Sequence, residues 1–234
     1  GADRIISFGR SADADMRLIE CLSDTTGNSV EASWHGKTLN FRVGQPGVHW
    51  AYNSLAVLTT VDALGGDMDT AASALAALPG LPGRGAVHVI PWGSGSIRLI
   101  DDSYNANPES MNAALNTLGH MPKDGGRRVV ILGDMLELGD ISKAAHEALE
   151  AEIIRNDIDI AFLAGQEMTA LADRLSSTAL GGIADTAGEL LPIVMSGLQA
   201  GDIVTVKASN GIGLSRIIKK LTEPAPVARA ANGT

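Results

Sequence analysis

The sequence predicts an α/β protein whose second half forms a mostly parallel sheet covered by helices on both faces. From about residue 87 onward, short β-rich runs alternate with helical segments through short connections, which is typical of parallel strands joined by helical crossovers. The first 80 or so residues lack this alternation and hold too few strands for a complete α/β domain. We therefore expect them to be the tail end of a domain whose beginning is missing.

The elements of the alternating half follow from hydrophobic periodicity. Strands are predicted at residues 87–92, 96–102, 127–134, 158–165 and 203–209, and helices at residues 108–121, 141–157, 167–176, 189–198 and 214–221. The second of these helices is expected to present one apolar face made of Ile141, Ala144, Ala145 and Ala148. The last helix places apolar residues at i, i+3, i+4 and i+7, namely Leu214, Ile217, Ile218 and Leu221.

The first part combines strands with two helices. We predict a strand at residues 4–8, two antiparallel strands within 29–43 that turn near His35, and helices at 51–66 and 68–78. A Gly- and Pro-rich run at residues 79–85 then marks a domain boundary. The predicted divisions are the C-terminal part of a central domain at 1–83, a second domain at 84–225 and a loose tail at 226–234.

Composition excludes several classes of function. The formal net charge of -9 and the lack of clustered Lys and Arg argue against a nucleic-acid partner, and 3% aromatic residues argue against base stacking. A single cysteine, Cys21, fits a reducing compartment, so we expect a cytoplasmic protein. No apolar stretch approaches the roughly 18 residues of a membrane span, which predicts no membrane insertion.

One glycine motif invites a phosphate-loop interpretation that the sequence does not support. The tetrapeptide His35-Gly36-Lys37-Thr38 ends in GKT, but Glu31 stands where such a loop needs its first glycine. A phosphate loop also follows a strand and precedes a helix. The tetrapeptide is therefore predicted to be a hairpin turn.

Polar residues follow three strands of the predicted parallel sheet. Asp101 and Asp102 end one strand, Asp134 ends another, and residues 207–210 end a third. Open α/β sheets bind ligands at the carboxyl ends of their strands. Three such ends favour a ligand cleft, although a network of helix caps and turns is the alternative for each one alone.

Two further polar elements lie outside that sheet edge. His49 and Asn53 stand four residues apart and so share a face at the start of a helix, where they could bind a ligand or only cap the helix. Arg84 lies in the Gly-rich connection, where its guanidinium could hold a phosphate or remain a solvated loop charge.

The motifs together resemble the muramyl ligases of peptidoglycan synthesis over nearly the whole chain. The similarity rests on GVHWAYNSLAVL, LPGRGA, LIDDSYNANPESMNAAL, VVILGDMLELG and DIVTVKASNGIGLSRI. It implies a Rossmann-like C-terminal domain preceded by the end of an ATPase domain. It further implies a ligase that uses ATP and Mg2+ to join D-alanyl-D-alanine to UDP-N-acetylmuramoyl-tripeptide through an acyl phosphate. We expect a monomer, with the phosphate loop and the metal ligands outside these 234 residues.

The resemblance also implies roles for individual residues. The incoming dipeptide or the reacting carboxylate would meet Asp134, Ser209 and Asn210 as binding residues, with Lys207 and His146 as catalytic residues. The implied nucleotide-binding residues are His49, Asn53, Arg84, Asp102, Tyr104, Asn105 and Asn107.

Two departures from the family pattern touch this assignment. Trp50 stands where the family often has Asn, so packing or stacking would replace one hydrogen bond to adenine. The last strand reads KASNG instead of KGS and a basic residue, which weakens the role of Lys207. We expect these residues alone to be inactive in ligation. The alternatives are a stand-alone nucleotide- or peptide-binding module and a structural domain that only retains the fold.

Overall fold

The computed structural model describes residues 5–24, 26–78 and 82–223. These residues form a four-stranded and a six-stranded sheet, one before and one after residues 79–81. The centre of the predicted connection, residues 79–81, and the predicted tail at 226–234 lie outside the described residues. The proposed domain bounds therefore stay predictions.

The first sheet has the order β1-β2-β3-β4 and is antiparallel apart from the β1–β2 pair. Two helices cover it, and the buried side chains of Met16, Leu18, Leu55 and Leu58 form part of the shared core. The elements are β1 Phe8–Gly9, β2 Met16–Asp24, β3 Gly27–Trp34, β4 Lys37–Val43, α1 Val48–Ala63 and α2 Met68–Ala77.

Two strand predictions in this part were wrong. The strand predicted at residues 4–8 is reduced to Phe8–Gly9, because the Asp15 carboxylate, and not a neighbouring strand, accepts from the Ser7 backbone N–H at 2.8 Å. Strand β2 was not predicted at all. Its alternation of buried and exposed residues is interrupted by an irregularity between Leu18 and Glu20, so it carries no clean period of two.

The predicted hairpin turn at His35 is confirmed. Trp34 pairs with Lys37 across a two-residue loop, and His35 and Gly36 have φ angles of +49° and +74°. Positive φ at both central positions is the mark of the turn that matches strand twist in a hairpin. The GKT tetrapeptide thus leads into strand β4 and not into a helix.

The second sheet confirms the predicted α/β class. Its order is β5-β6-β10-β7-β8-β9, with β5 and β6 antiparallel and the remaining pairs parallel. Strand β9 was not predicted, because two of its five residues are glycines, which have low β-propensity. The strands are β5 Ala86–Trp92, β6 Gly95–Asp101, β7 Arg128–Gly133, β8 Ile160–Ala164, β9 Leu180–Ala184 and β10 Ile203–Lys207.

Helices cover both faces of this sheet, as predicted. The helices α3 Pro108–Gly119, α4 Ser142–Arg155 and α5 Thr169–Ala172 pack on one face, and α6 Ala187–Gly197 and α7 Ser215–Thr222 pack on the other. The apolar stripe predicted for the last helix is confirmed, because all four of its residues are buried: Leu214, Ile217, Ile218 and Leu221.

The apolar face predicted for α4 was wrong. Ile141 is 60% exposed, and Ala144 and Ala148 are also exposed, so of the four predicted residues Ala145 alone packs against the core. The helix buries His146, Leu149 and Ile153 instead. The small alanines misled the pattern because a buried, hydrogen-bonded histidine occupies a core-facing position.

The strand order places one crevice in the second sheet. β10 comes last in sequence but lies between β6 and β7, so the chain direction of the crossovers reverses beside it. Such a reversal opens a crevice at the carboxyl ends of the strands. Asp102, Asp134 and Ala208 immediately follow β6, β7 and β10 at that edge.

We predict that Leu149→Ala lowers the free energy of unfolding by about 2–5 kcal/mol, because it empties a buried position of α4. Ala148→Ser, one residue away on the exposed face, is the matched control and should change it by less than about 0.5 kcal/mol. Urea unfolding followed by circular dichroism measures both. Equal losses in the two variants would contradict the corrected orientation of the helix.

Candidate functional site

A cleft of about 420 Å³ lies between the start of α1 and the carboxyl ends of β6 and β10. Its volume falls within the range of small-molecule sites. Both parts of the chain contribute to it, since α1 belongs to the first sheet and α3 to the second. Among its lining residues are His49, Trp50, Asn53, Gly83, Arg84, Asp102, Asn105, Asn107 and Lys207.

An ion pair between Asp102 and Lys207 forms the floor of the cleft. The Lys207 Nζ donates to Asp102 Oδ2 at 2.6 Å and to the carbonyl oxygen of Asn105 at 2.9 Å, and the lysine side chain is only 4% exposed. Burial raises the pKa of the Asp102 carboxyl, while the Lys207 charge and hydrogen bond act to lower it. Lys207 is therefore the main group that favours the ionised form of Asp102.

The neighbouring carboxylate, Asp101, holds the loop before β5. Its side chain accepts from the Gly83 N–H at 2.8 Å, and its backbone carbonyl accepts from the Gly85 N–H at 2.7 Å. Gly83 has a φ of +74°, and a Cβ there would lie 2.9 Å from the Cβ of Tyr104. Asp101 thus has the turn-network role, and it fixes the loop from which Arg84 projects.

Arg84 lies over the ring of Tyr104 at the rim of the cleft. The guanidinium carbon is 4.2 Å from the ring centroid, a cation–π contact, and both side chains are exposed. This contact orients a cation that the described residues leave free of any carboxylate partner within salt-bridge distance. Arg84 can therefore accept an anionic ligand from the cleft.

The start of α3 combines capping with cleft lining. The Asn107 side chain accepts from the Ser110 N–H at 2.8 Å, and Ser110 Oγ accepts from the Asn107 N–H at 3.0 Å, which is a reciprocal cap. Asn105 Oδ1 accepts from the Ala106 N–H. The two asparagines therefore serve local structure and line the cleft at the same time.

The first helix supplies the opposite wall. His49 and Asn53 are both exposed on one face of α1 and line the cleft, as their spacing predicted. Although the His49 side chain reaches solvent, crowding by protein atoms lowers the pKa of its imidazole, while the Asp102 charge raises it and the Lys207 charge lowers it. His49 thus lies in the electrostatic field of the Asp102–Lys207 pair.

The remaining predicted residues form a separate group behind the cleft. The Asp134 carboxylate accepts from the Met168 N–H at 2.9 Å and the Glu167 N–H at 3.3 Å, and burial raises its pKa. Ser209 Oγ accepts from the Leu136 N–H at 2.9 Å. Asn210 is exposed at the start of a 3-10 turn. None of these predicted binding residues lines the cleft.

The contacts of His146 are structural. Its Nε2 accepts from the Met135 N–H at 3.0 Å, and its Nδ1 lies 2.8 Å from the Ser142 carbonyl oxygen, to which it donates. The side chain is fully buried. With both ring nitrogens engaged, His146 has no free atom for proton transfer, so its contacts give no support to the predicted catalytic role.

The described residues offer no built metal centre and no membrane span. No group of three or more His, Cys, Asp or Glu side chains among them is placed to hold a metal ion. Within the same residues, every helix is too short or too polar to cross a bilayer.

Comparison with known proteins identifies the family. A profile described as "Mur ligase, glutamate ligase domain" matches residues 88–210, just over half of the chain. The chain belongs to the Mur ligase family. A relative named UDP-N-acetylmuramoyl-tripeptide--D-alanyl-D-alanine ligase, from Rickettsia prowazekii, is 31% identical over 216 residues, which are 92% of this chain and 46% of the relative. This Mur ligase chain thus spans less than half the length of that relative.

Solved structures give the same family. MurF from Acinetobacter baumannii superimposes with a TM-score of 0.77 at 25% identity, covering 93% of this chain and 46% of that one. MurF ligase from Thermotoga maritima, in complex with ADP, shares the fold with a TM-score of 0.75 at 24% identity, covering 92% of this chain and 47% of that one. The Rossmann-like class expected for the second half of this Mur ligase chain is confirmed.

We predict that Lys207→Met raises the pKa of Asp102 further and lowers the free energy of unfolding at pH 7 by about 3 kcal/mol, because a mostly buried carboxylate loses its counter-charge. Carboxyl NMR titration and urea unfolding measure the two effects. Lys220→Met removes an exposed pair with Glu223 and is the control, with an expected change below about 1 kcal/mol.

The double variant Asp102→Asn/Lys207→Met tests whether charge pairing is the cause. It removes both charges and should recover most of the stability lost in Lys207→Met. A double variant no more stable than Lys207→Met would show that lost packing of the lysine side chain, and not an unpaired carboxylate, causes the destabilisation.

We also predict that the imidazole of His49 titrates below its ordinary pKa of 6.5 and that Asp102→Asn lowers the pKa further, because a charge that favours the imidazolium is removed. NMR titration of the ring protons, with His49→Gln identifying the resonance, provides the measurement. A pKa that rises in Asp102→Asn would contradict the coupling between the two sides of the cleft.

Proposed function

We propose that this chain is the nucleotide-facing part of an ATP-dependent ligase that joins D-alanyl-D-alanine to UDP-N-acetylmuramoyl-tripeptide. The observation that carries the proposal is the cleft in which His49, Asn53, Arg84 and Asp102 meet, within a chain whose relatives bear that ligase name. The activity belongs to a protein of the relatives' length, of which these residues span less than half. We do not expect the 234 residues alone to catalyse ligation.

The cleft has the polarity that a nucleotide needs. In the proposed pose, the amide of Asn53 and the imidazole of His49 bind the adenine side, and the Asp102 carboxylate accepts hydrogen bonds from the ribose hydroxyls. Arg84 faces the phosphates or the ribose, and its contact with Tyr104 holds the guanidinium in place. The ADP complex of the Thermotoga maritima relative supports an adenine nucleotide as the ligand.

In this proposal Lys207 acts on Asp102 and not on the substrate. Its Nζ is committed to Asp102 and to the Asn105 carbonyl, and its side chain is almost fully buried. An ionised Asp102 is a stronger acceptor for ribose hydroxyls than a protonated one. Lys207 is thus a positioning residue, which replaces the catalytic role expected from the resemblance.

The second group of residues would support the amine side of the reaction. We assign Asp134, Ser209 and Asn210 to the region that receives D-alanyl-D-alanine, with Asn210 exposed and available for contact. His146 would hold the Met135 backbone in that region through its bond to the Met135 N–H. This assignment rests on the placement of these residues at the carboxyl ends of β7 and β10.

ATP supplies a phosphoryl group that activates the terminal carboxylate of the tripeptide, so that the dipeptide amine forms the amide and phosphate leaves. The residues of this chain would position the nucleotide, neutralise phosphate charge through Arg84 and exclude water between the two parts of the chain. The Mg2+ implied by the resemblance would take its ligands elsewhere, since the described residues provide no group of metal ligands.

A binding module without ligase activity is the alternative function. The cleft alone would serve such a module equally well, because nucleotide binding needs no chemistry. The two functions differ in one observable, which is whether ADP forms only when both the tripeptide precursor and D-alanyl-D-alanine are present.

We predict that the full-length protein releases ADP only with both substrates. Release of no ADP with both substrates present would exclude the ligase proposal and favour the binding module. Release with the tripeptide precursor alone would instead indicate hydrolysis of an activated carboxylate.

We also predict that Asp102→Ala in the full-length protein raises the Michaelis constant for ATP about 10-fold or more, because a charge-assisted hydrogen bond contributes about 1.5–3 kcal/mol. Asn53→Ala removes a neutral contact and should raise it about 5-fold. Asn112→Ala changes an exposed amide of α3 outside the cleft and is the matched control. Circular dichroism confirms that each variant is folded, and unchanged kinetics in Asp102→Ala would refute its role.

A further inference from the structure

A small cavity lies behind the cleft, where the first helix meets the second sheet. Its volume is about 20 Å³, and its walls come from the start of α1, the middle of α3 and strand β10. Trp50, Thr117 and Thr205 are among the residues that line it. A cavity needs about 10–15 Å³ of this kind of volume to hold one water molecule, so the space admits one water and little else.

Two buried polar atoms on this cavity lack hydrogen-bond partners. Among the described residues, Trp50 Nε1 and Thr205 Oγ1 are both shielded from solvent without a partner within the protein. An indole N–H and a hydroxyl are rarely left in this state, because each loses its hydrogen bond to water on burial. Their coincidence at one cavity therefore requires an explanation that is common to both.

The geometry directs both atoms to the same place. Thr205 pairs with Ile100 and Val130, whose side chains belong to the core on the α3 side of the sheet, so Thr205 also faces α3. A Cβ built on Gly85 would lie 3.4 Å from Trp50 Nε1, which places the indole nitrogen beside the loop that precedes β5. Gly85 also lines the cavity.

We propose that this cavity is a binding site for one structural water molecule, which joins the first helix to the central strand of the second sheet. Trp50 Nε1–H donates to the water oxygen, and the water and the Thr205 hydroxyl form a second hydrogen bond. Thr117 Oγ1 donates to the Ala113 carbonyl at 2.8 Å and retains lone pairs for a third. Three bonds are the usual number for a buried water.

This site gives Trp50 a role that is independent of any nucleotide. Its ring lines the cleft as well as the cavity, so one face of the residue contacts the ligand space and its N–H contacts the water. The proposed water then connects α1 to β10 by polar contacts, where the walls are otherwise packed by apolar atoms such as those of Ile100 and Ala114.

The test is a water-selective rotating-frame NMR experiment on the ¹⁵N-labelled 234-residue chain. In this experiment, dipolar contact with a bound water and chemical exchange with solvent give cross-peaks of opposite sign. We expect a dipolar cross-peak at the indole N–H of Trp50, identified by its loss in Trp50→Phe. Trp92, whose Nε1 donates to the Leu198 carbonyl at 3.1 Å, is the internal control and should give none.

A matched pair of variants tests the role of Thr205. Thr205→Ser keeps the hydroxyl and should keep the cross-peak, whereas Thr205→Val keeps the shape and should lose it. If the wild-type Trp50 resonance shows no cross-peak, or only one with the sign of exchange, the site is dry or open and the proposal is wrong. A cross-peak that is unchanged in Thr205→Val would overturn the assignment of Thr205.

Thermal unfolding gives a second readout if one variant folds poorly. Trp50→Phe and Thr205→Val should each lower Tm, and the double variant should lose less than the sum of the two losses, because both remove the same bridge. Strictly additive losses would show that the two side chains do not share a water.

Discussion

The Asp102–Lys207 ion pair is the interaction on which the candidate site depends. It joins the ends of β6 and β10, which are neighbours in space although 105 residues separate the two side chains in sequence. Burial alone would favour a neutral carboxyl at this position, and the lysine opposes that tendency. The lysine itself could not remain charged at 4% exposure without the carboxylate and the Asn105 carbonyl. Each charge is thus the condition for the other, and the ligand space is built around the pair.

Two other carboxylates near this edge bind backbone N–H groups instead of a cation. Asp101 holds the loop that carries Arg84, and Asp134 holds the segment around Met168. A carboxylate that accepts from backbone amides fixes the path of the chain more firmly than a surface ion pair does. The polar residues at the strand ends therefore divide their tasks, with one set shaping the loops and Asp102 facing the ligand space.

The sequence was informative where local chemistry and periodicity agree. The last helix, the hairpin at His35 and the face shared by His49 and Asn53 follow from spacing and turn preferences alone. Motif residues identified the cleft, but they could not distinguish Asp101 from Asp102, because the difference lies in which oxygen meets Gly83 and which meets Lys207. The burial of His146 was equally hidden, since a histidine in a helix gives no sign that both of its nitrogens will bond to the backbone.

The position of β10 has a consequence for biosynthesis. The strand that completes the middle of the second sheet is the last one to leave the ribosome, and β6 and β7 do not pair with each other while they wait for it. Until Lys207 has emerged, Asp102 has no counter-charge and the two halves of the sheet expose the strand edges that β10 later fills. The nascent chain therefore carries its most aggregation-prone surface at the site where the finished protein has its cleft. Protection of this gap by a chaperone is worth most during the synthesis of roughly the last hundred residues before β10.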